Sequence, residues 1–301
     1  MSDAHLPGEL NRRAFLKNLA GIGVGGSLLT ACAGNQAASA ASTLASAPLS
    51  QRIGVQLYTV RDLLQQDFEG TIARVAEIGY NNLEFAGYYD HTPEQVRSIL
   101  ERYHLAATSS HLGLDLFRND LQGTLEMAKI IGHEYVTVPS GARGADEAAW
   151  RAVAAEFNRF GAAARDAGLK FAYHNHNFEY QGIAGGQTGY DVLLRETDPE
   201  LVFFEQDLYW TTFAGRDPVE LFRRSPHRFP LWHVKDLTDT NGTKAMAPVG
   251  MGTIDWKALF GQADLSGMKY FFVEHDTAAQ YSGGSLASIQ ASYTYLKQLL
   301  A

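Results

Sequence analysis

Eight short apolar runs, rich in β-formers, recur along this chain about every 25 to 40 residues, and helix-period stretches fill the gaps. The runs are IGVQLYTV (53–60), NNLEFAG (81–87), LAATSSHL (105–112), YVTVPSG (135–141), KFAYHNH (170–176), LVFFEQDLYW (201–210), PLWHVKDL (230–237) and YFFVEHD (270–276). The stretches between them carry helix punctuation. Gly79 and Gly168 close two of them, and Thr92 followed by Pro93 opens a third. Strictly alternating strand and helix implies a parallel sheet. Eight repeats at this spacing fit a closed (β/α)8 barrel better than an open sheet, and about 250 residues is the usual size of one. No linker interrupts residues 51–301, so one domain is expected from residue 48 to 301. The Gly-rich segment 238–254 lacks periodicity and is read as a long loop over the mouth.

Polar residues gather at the C-terminal ends of these runs: Glu84, His111, His174, His176, Asp207, His233, Lys235, Asp236, Glu274 and His275. The N-terminal halves are mostly apolar. In a barrel of this kind the C-terminal end carries the active site. In HNH, alternation puts His174 and His176 on one face and Asn175 on the other. Runs five to eight each offer an acceptor after an apolar residue: His174, Asp207, His233 and Glu274. Two nitrogens and two carboxylates suit one divalent ion, Mn2+, Mg2+, Co2+ or Zn2+, better than Ca2+. His176 is the rival ligand. Asp207 also reads as a helix cap, and His233 as a hydrogen-bonded core histidine. Glu274 reads least easily as structural, because a carboxylate after three apolar residues is costly unless paired. Glu84 lies on a strand across the barrel and, with His111, Glu179 and Lys235, is assigned to substrate, with support of the metal ligands from behind the alternative for Glu84 and His111. Tyr58, Trp210 and Trp232 suit either a sugar platform or the core. VPSGARG offers backbone amides to an anion. GMGTIDW lacks the spacing of a dinucleotide loop.

The first 47 residues stand apart. Arg12 and Arg13 precede a short apolar stretch, the layout of a twin-arginine export signal. LLTAC places the single cysteine, Cys32, in what resembles a lipoprotein processing box. Cleavage further on, within AASAASTLASA, would discard it instead. The Ala/Ser-rich run after it reads as a tether. Export to the periplasm, or anchoring to the membrane by lipid at Cys32, is the expectation. Either route leaves no thiol for disulfide or thiolate chemistry. The formal charge is −8 at pH 7, and basic residues are scattered, so nucleic acid is not an expected partner.

Taken together, HNHNFEY, QDLYW, WHVKD, VGMGTIDW and FVEHD resemble the sugar phosphate isomerase/epimerase family with the xylose isomerase-like TIM barrel. IGVQLYTVRD and NLEFAGYY are similar to its opening strands. In the ketose epimerases of that family a metal is held by Glu, Asp, His and Glu from strands five to eight, and the two glutamates exchange a proton. The resemblance implies that Asp207, His233 and Glu274 are ligands. His174 stands where the first glutamate is expected, so the proton would move through Glu274 or through His174 or His176. The implied activity is a metal-dependent isomerase or epimerase on a small neutral sugar or keto-sugar, since no basic phosphate clamp is evident. A dehydratase or lyase is the alternative, followed by a metallo-hydrolase and a non-catalytic sugar-binding lipoprotein. The sequence leaves the oligomeric state open.

Overall fold

All eight runs form strands. The structure, a computed structural model, describes residues 44–301; Arg12, Arg13 and Cys32 lie outside the described residues. The strands are β1 (Ile53–Gln56), β2 (Asn82–Phe85), β3 (Ala106–His111), β4 (Tyr135–Val138), β5 (Lys170–His174), β6 (Val202–Asp207), β7 (Leu231–Val234) and, after a two-stranded insertion, β10 (Tyr270–Val273). They close a barrel in the order β1-β10-β7-β6-β5-β4-β3-β2, each neighbouring pair parallel. Alternation decides which residues fill it. On β5, Phe171 and Tyr173 face outward onto Phe157 of the helix Glu147–Asp166, while Ala172 and His174 face the barrel axis.

The helices start and stop where the sequence says. Thr92 and Gln95 form a capping box at the helix Pro93–Arg102. Gly79 closes the helix Phe68–Ile78 at φ 117°, a conformation that a side chain would strain. Among the described residues no helix is long and apolar enough to cross a membrane.

Two expectations change. The tether was drawn to residue 47, yet Leu44 is buried against Tyr135, Ala172, Leu231, Tyr270 and Phe272 at the apolar floor of the barrel. Arg52 holds this segment through a 2.7 Å hydrogen bond to the Ala45 carbonyl. A lone Leu among Ala and Ser shows no periodicity, but burying it is worth about 2 kcal/mol. The segment 238–254 is not a featureless loop. Its first half is a hairpin of β8 (Asp236–Thr240) and β9 (Thr243–Ala247), turned by Asn241 and Gly242 at positive φ. Its second half wraps Asp236. That carboxylate accepts from the amides of Leu237, Gly250 and Ile254 and from the Trp256 indole. A Cβ on Gly252 would run into the same carboxylate, which explains the glycine in VGMGTIDW.

One buried histidine lies outside the barrel mouth and makes a stability prediction. His133 Nδ1 lies 2.7 Å from the Ala107 carbonyl, and its Nε2 lies 3.0 Å from the Tyr88 hydroxyl. Burial pushes its pKa down to about 4, against the opposing effect of the Ala107 bond. The unfolded chain takes up that proton near pH 6.5 and the folded chain only near 4. Stability therefore falls as pH drops through this window, by up to about 3 kcal/mol from this group. His133→Gln should flatten the pH dependence of urea unfolding between pH 6.5 and 4. Parallel curves for the two proteins would count against this account.

Candidate metal centre

The site forms where β5, β6, β7 and β10 end. Register puts His174 level with Glu205 and Asp207 level with His233 on neighbouring strands. Inward alternation adds Lys235 above His233, and Asp276 beyond Glu274. The resulting group has two layers.

The lower layer is a hydrogen-bonded network. Glu205 Oε2 lies 2.6 Å from His111 Nε2, 3.0 Å from His174 Nδ1 and 3.2 Å from His233 Nε2. Glu84 Oε2 lies 2.5 Å from His233 Nε2 and accepts from Gln56 Nε2 at 2.7 Å. The upper layer is more open. Asp207 Oδ2 is 3.6 Å from His174 Nε2 and 4.0 Å from His233 Nδ1. Glu274 Oε2 is 2.7 Å from His233 Nδ1 and 2.6 Å from Lys235 Nζ. Lys235 Nζ also lies 3.0 Å from both Asp207 Oδ2 and Asp276 Oδ1. His174 and His233 thus span the layers, each turning one nitrogen down and one up.

The electrostatics follow from burial and crowding. Burial, then Glu205, raises the Glu84 pKa. Burial opposes the ionisation of Glu205 and Glu274 too, but neighbouring cationic groups outweigh it: His233 and His111 hold Glu205 well below the usual range, and Lys235 and His233 do so for Glu274. Burial pushes Asp207 up to about 6 against the pull of Lys235 and His233. Burial and the charge of His233 keep His174 neutral, well below its ordinary value. His233 is raised because Glu205, Glu274 and Glu84 outweigh its burial.

These residues fit a divalent cation on three counts. Glu84, Glu205, Asp207 and Glu274 meet in one buried volume, with the half-buried Asp276 at its rim and Lys235 the fixed cation among them. Asp207 Oδ2 takes no hydrogen bond, although Lys235 lies 3.0 Å off, because the ammonium is out of line. The spacing of Asp207 Oδ2 from the two imidazoles is near the separation of about 3–3.5 Å between neighbouring donors bonded to one ion. Asp207, His233 and Glu274 gather their ligand atoms within 4.8 Å of one another, as do His111, His174, Glu205 and His233.

The expected residues can now be placed. Asp207 caps the helix Leu208–Phe213 through Oδ1, which accepts from the Trp210 amide at 2.8 Å, and so leaves Oδ2 for the site. The cap that the sequence offered for Asp207 thus uses one oxygen and leaves the other facing the imidazoles. His176 sits beyond β5, half-buried, with its ring 5.0 Å from that of His174 and its buried Nδ1 without a hydrogen-bond partner. Burial, then Lys235, pushes it down to about 3. Glu84, assigned from across the barrel to substrate or to support of the ligands, reaches the axis, is fully buried and bonds His233. Glu179 was assigned to substrate as well. It is fully buried, accepting from the Tyr173 hydroxyl at 2.6 Å and the His176 amide at 2.9 Å, so it props the loop. Lys235 and His111 remain at the mouth, though Lys235 is bound among carboxylates. Trp232 stacks on Phe222 in the core, 5.2 Å between centroids. Trp210 stays half-exposed with its indole N–H unpartnered.

Glu205 was missed. Its signal was present in FFEQD: it shares a face with Asp207 and follows two aromatic residues, the same pattern that singled out Glu274. Gln56 and Asp276 were missed as well.

A family profile described as xylose isomerase-like TIM barrel matches residues 72–298. Among curated proteins, the inosose dehydratase of Clostridium botulinum is 24% identical over 197 residues, 58% of this chain and 64% of that protein. That of Clostridium tetani is 32% identical over 95 residues, 31% of this chain and 30% of that protein. The chain thus spans less than two thirds of the length of these relatives. Among solved structures, a sugar phosphate isomerase/epimerase from Parabacteroides distasonis superposes with TM-score 0.70 at 25% identity, covering 83% of this chain and 96% of that one. The IOLI protein with a bound zinc atom shares the fold, with TM-score 0.66 at 14% identity over 83% of this chain and 98% of that one.

Proposed function

We propose, for a chain that belongs to the xylose isomerase-like TIM barrel family, a divalent-metal enzyme that removes a proton next to the carbonyl of a neutral sugar or keto-sugar, as an isomerase or epimerase does. One observation carries the reading: carboxylates and imidazoles converge at one end of the barrel around Asp207 Oδ2, a buried oxygen without a hydrogen-bond donor. His174, Asp207, His233 and Glu274 would hold the ion, Mn2+, Mg2+, Co2+ or Zn2+. When bound, such an ion supplies a Lewis acid that polarises a carbonyl oxygen.

The protein side of the chemistry falls to a few groups. Among the carboxylates that lie against the imidazoles, Glu84, Glu205 and Asp207 are sealed, whereas Glu274 keeps 5% side-chain exposure; Asp276, 26% exposed, lies against Lys235 instead. Glu274 is therefore the group that takes the proton from carbon. Lys235, 2.6 Å away, is a protonated amine that holds Glu274 ionised beforehand, so that the carboxylate itself is ready to receive the proton. His176, neutral and with a free Nδ1, faces the same space and accepts or returns a proton at the neighbouring oxygen. Trp210 offers an indole N–H to a sugar hydroxyl.

A second reading, dehydration or elimination, is favoured by two findings. The curated relatives are inosose dehydratases. In addition, His174 replaces the glutamate that a two-glutamate epimerisation needs, leaving one carboxylate base. A single base serves a 1,2-shift or an elimination from the same enol. Arg12 and Arg13, read as a twin-arginine signal, go with a proposed site of action outside the cytoplasmic membrane.

Metal analysis of the purified protein, followed by NMR of a keto-sugar panel in D2O, tests the proposal. About one divalent ion per chain and deuterium at the carbon next to the carbonyl are expected. Release of a neighbouring hydroxyl with that exchange would favour elimination. Metal without exchange on any sugar would favour a hydrolase, and a metal-free, glycan-binding protein would sink the enzyme reading.

A further inference from the structure

We infer that Glu205 is a positioning residue: it fixes the proton of His174 on Nδ1 and so turns the bare Nε2 toward Asp207, while Glu84 and Glu205 hold His233 with Nε2 protonated and Nδ1 turned upward. This rests on the reading that the upper layer holds a divalent cation.

The argument is one of hydrogen-bond inventory. An ionised carboxylate only accepts, so any ring nitrogen at hydrogen-bond distance from it must carry hydrogen. Glu205 Oε2 lies 3.0 Å from His174 Nδ1, hence the proton sits there. A neutral imidazole has one N–H, so His174 Nε2 presents a lone pair. That nitrogen faces Asp207 Oδ2 at 3.6 Å, too long for a hydrogen bond. The same logic applies to His233. Its Nε2 lies 2.5 Å from Glu84 Oε2 and 3.2 Å from Glu205 Oε2, so the ring donates downward; its Nδ1 lies 2.7 Å from Glu274 Oε2 and also carries hydrogen, which an ion bound there would displace. The contacts of Glu84 and Glu205 with the two imidazoles, 2.5–3.2 Å, are hydrogen bonds, whereas the gaps of 3.6 and 4.0 Å from Asp207 Oδ2 to the same rings are not.

The arrangement also accounts for the histidine on β5. Where the ketose epimerases have a glutamate ligand, this chain has an imidazole backed by a carboxylate from the next strand. His174 and Glu205 are register partners on β5 and β6. The negative charge removed from β5 reappears on β6, one layer down, where it acts through the imidazole. Such outer carboxylates orient ligand histidines and raise their basicity, and losing one typically weakens metal binding ten- to a hundredfold.

The test uses the full-length protein. In 15N NMR of histidine-labelled wild type stripped of metal, His174 should carry its proton on Nδ1; a proton on Nε2 would overturn the inference, and this measurement needs no variant. Glu205→Gln, nearly the same shape, should weaken Zn2+ binding roughly 10–100-fold by calorimetry and shift the His174 tautomer toward Nε2–H. In a His174→Ala background the same change should cost clearly less than in wild type, because only the support that Glu205 shares with Glu84 at His233 is then left to lose. Equal losses in both backgrounds, or Glu205→Gln binding as tightly as wild type, would overturn it. So would two ions in wild type with one lost in Glu205→Gln, which would make Glu205 a ligand itself. A wild-type chain that binds no divalent ion yet keeps the Nδ1 proton would refute the metal reading and leave the tautomer assignment standing.

Discussion

Glu274→Gln, loaded with metal, is expected to lose α-proton exchange by roughly 10²–10⁴-fold, the usual contribution of a positioned acid–base group. The amide cannot take a proton from carbon. Its oxygen still coordinates weakly, so measurable metal should remain. The fold should survive, because Lys235 keeps Asp207 and Asp276, each 3.0 Å from its ammonium. His233 likewise keeps Glu84 and Glu205. Deuterium uptake by NMR and metal content by elemental analysis give the two readouts separately. Exchange within tenfold of wild type would move the proton to another group, with His176 the first candidate.

His174→Ala should lose metal affinity by at least ten- to a hundredfold, since a ligand matters no less than its supports. The loss of packing and of one bond to Glu205 should lower stability by only about 1–3 kcal/mol. Glu205 is not orphaned, because His111 and His233 still face it at 2.6 and 3.2 Å. His176→Ala is the control. Its Nδ1 makes no hydrogen bond and it has no carboxylate behind it, so its removal should leave metal affinity near wild type and act on turnover. Calorimetric titration with Zn2+ distinguishes the two. If His176→Ala loses metal and His174→Ala does not, the ligand within HNH is the outer histidine. If neither does, this strand holds no metal.

Much of this site was legible because β-structure makes sequence spacing into geometry. Residues two apart share a face, so HNH, QD, HVK and VEHD each announce what points inward. The parallel barrel then puts those inward residues at one end. Asp207, His233, Glu274 and Lys235 met as the spacing implies. Glu84 and Glu179 show where that logic stops. Glu84 was placed across the barrel and away from the ligands, yet a glutamate side chain is long enough to reach the axis of a narrow barrel. Glu179 follows the strand in a loop, where alternation no longer holds. Its direction was set by the Tyr173 hydroxyl, a group on the opposite face of β5. The hairpin β8–β9 was missed for a different reason: its strands are half exposed and polar, so only Asn241-Gly242 marked it.

The sequence by itself determined the barrel, its catalytic end and most of the inward residues, because apolar period and strand alternation are local properties of the chain. It also located the departure at His174. Tertiary structure alone decided what that departure means. Glu205 lies on the neighbouring strand, and nothing in the sequence separation says that its oxygen stops beneath His174 Nδ1 while Asp207, two residues later, stops above Nε2. That outcome depends on the stagger of two strands and on the closure of the barrel, which bring carboxylates from opposite walls within hydrogen-bonding distance of the same imidazoles. Such distances are set by packing among all eight strands at once, and no single stretch of sequence encodes them.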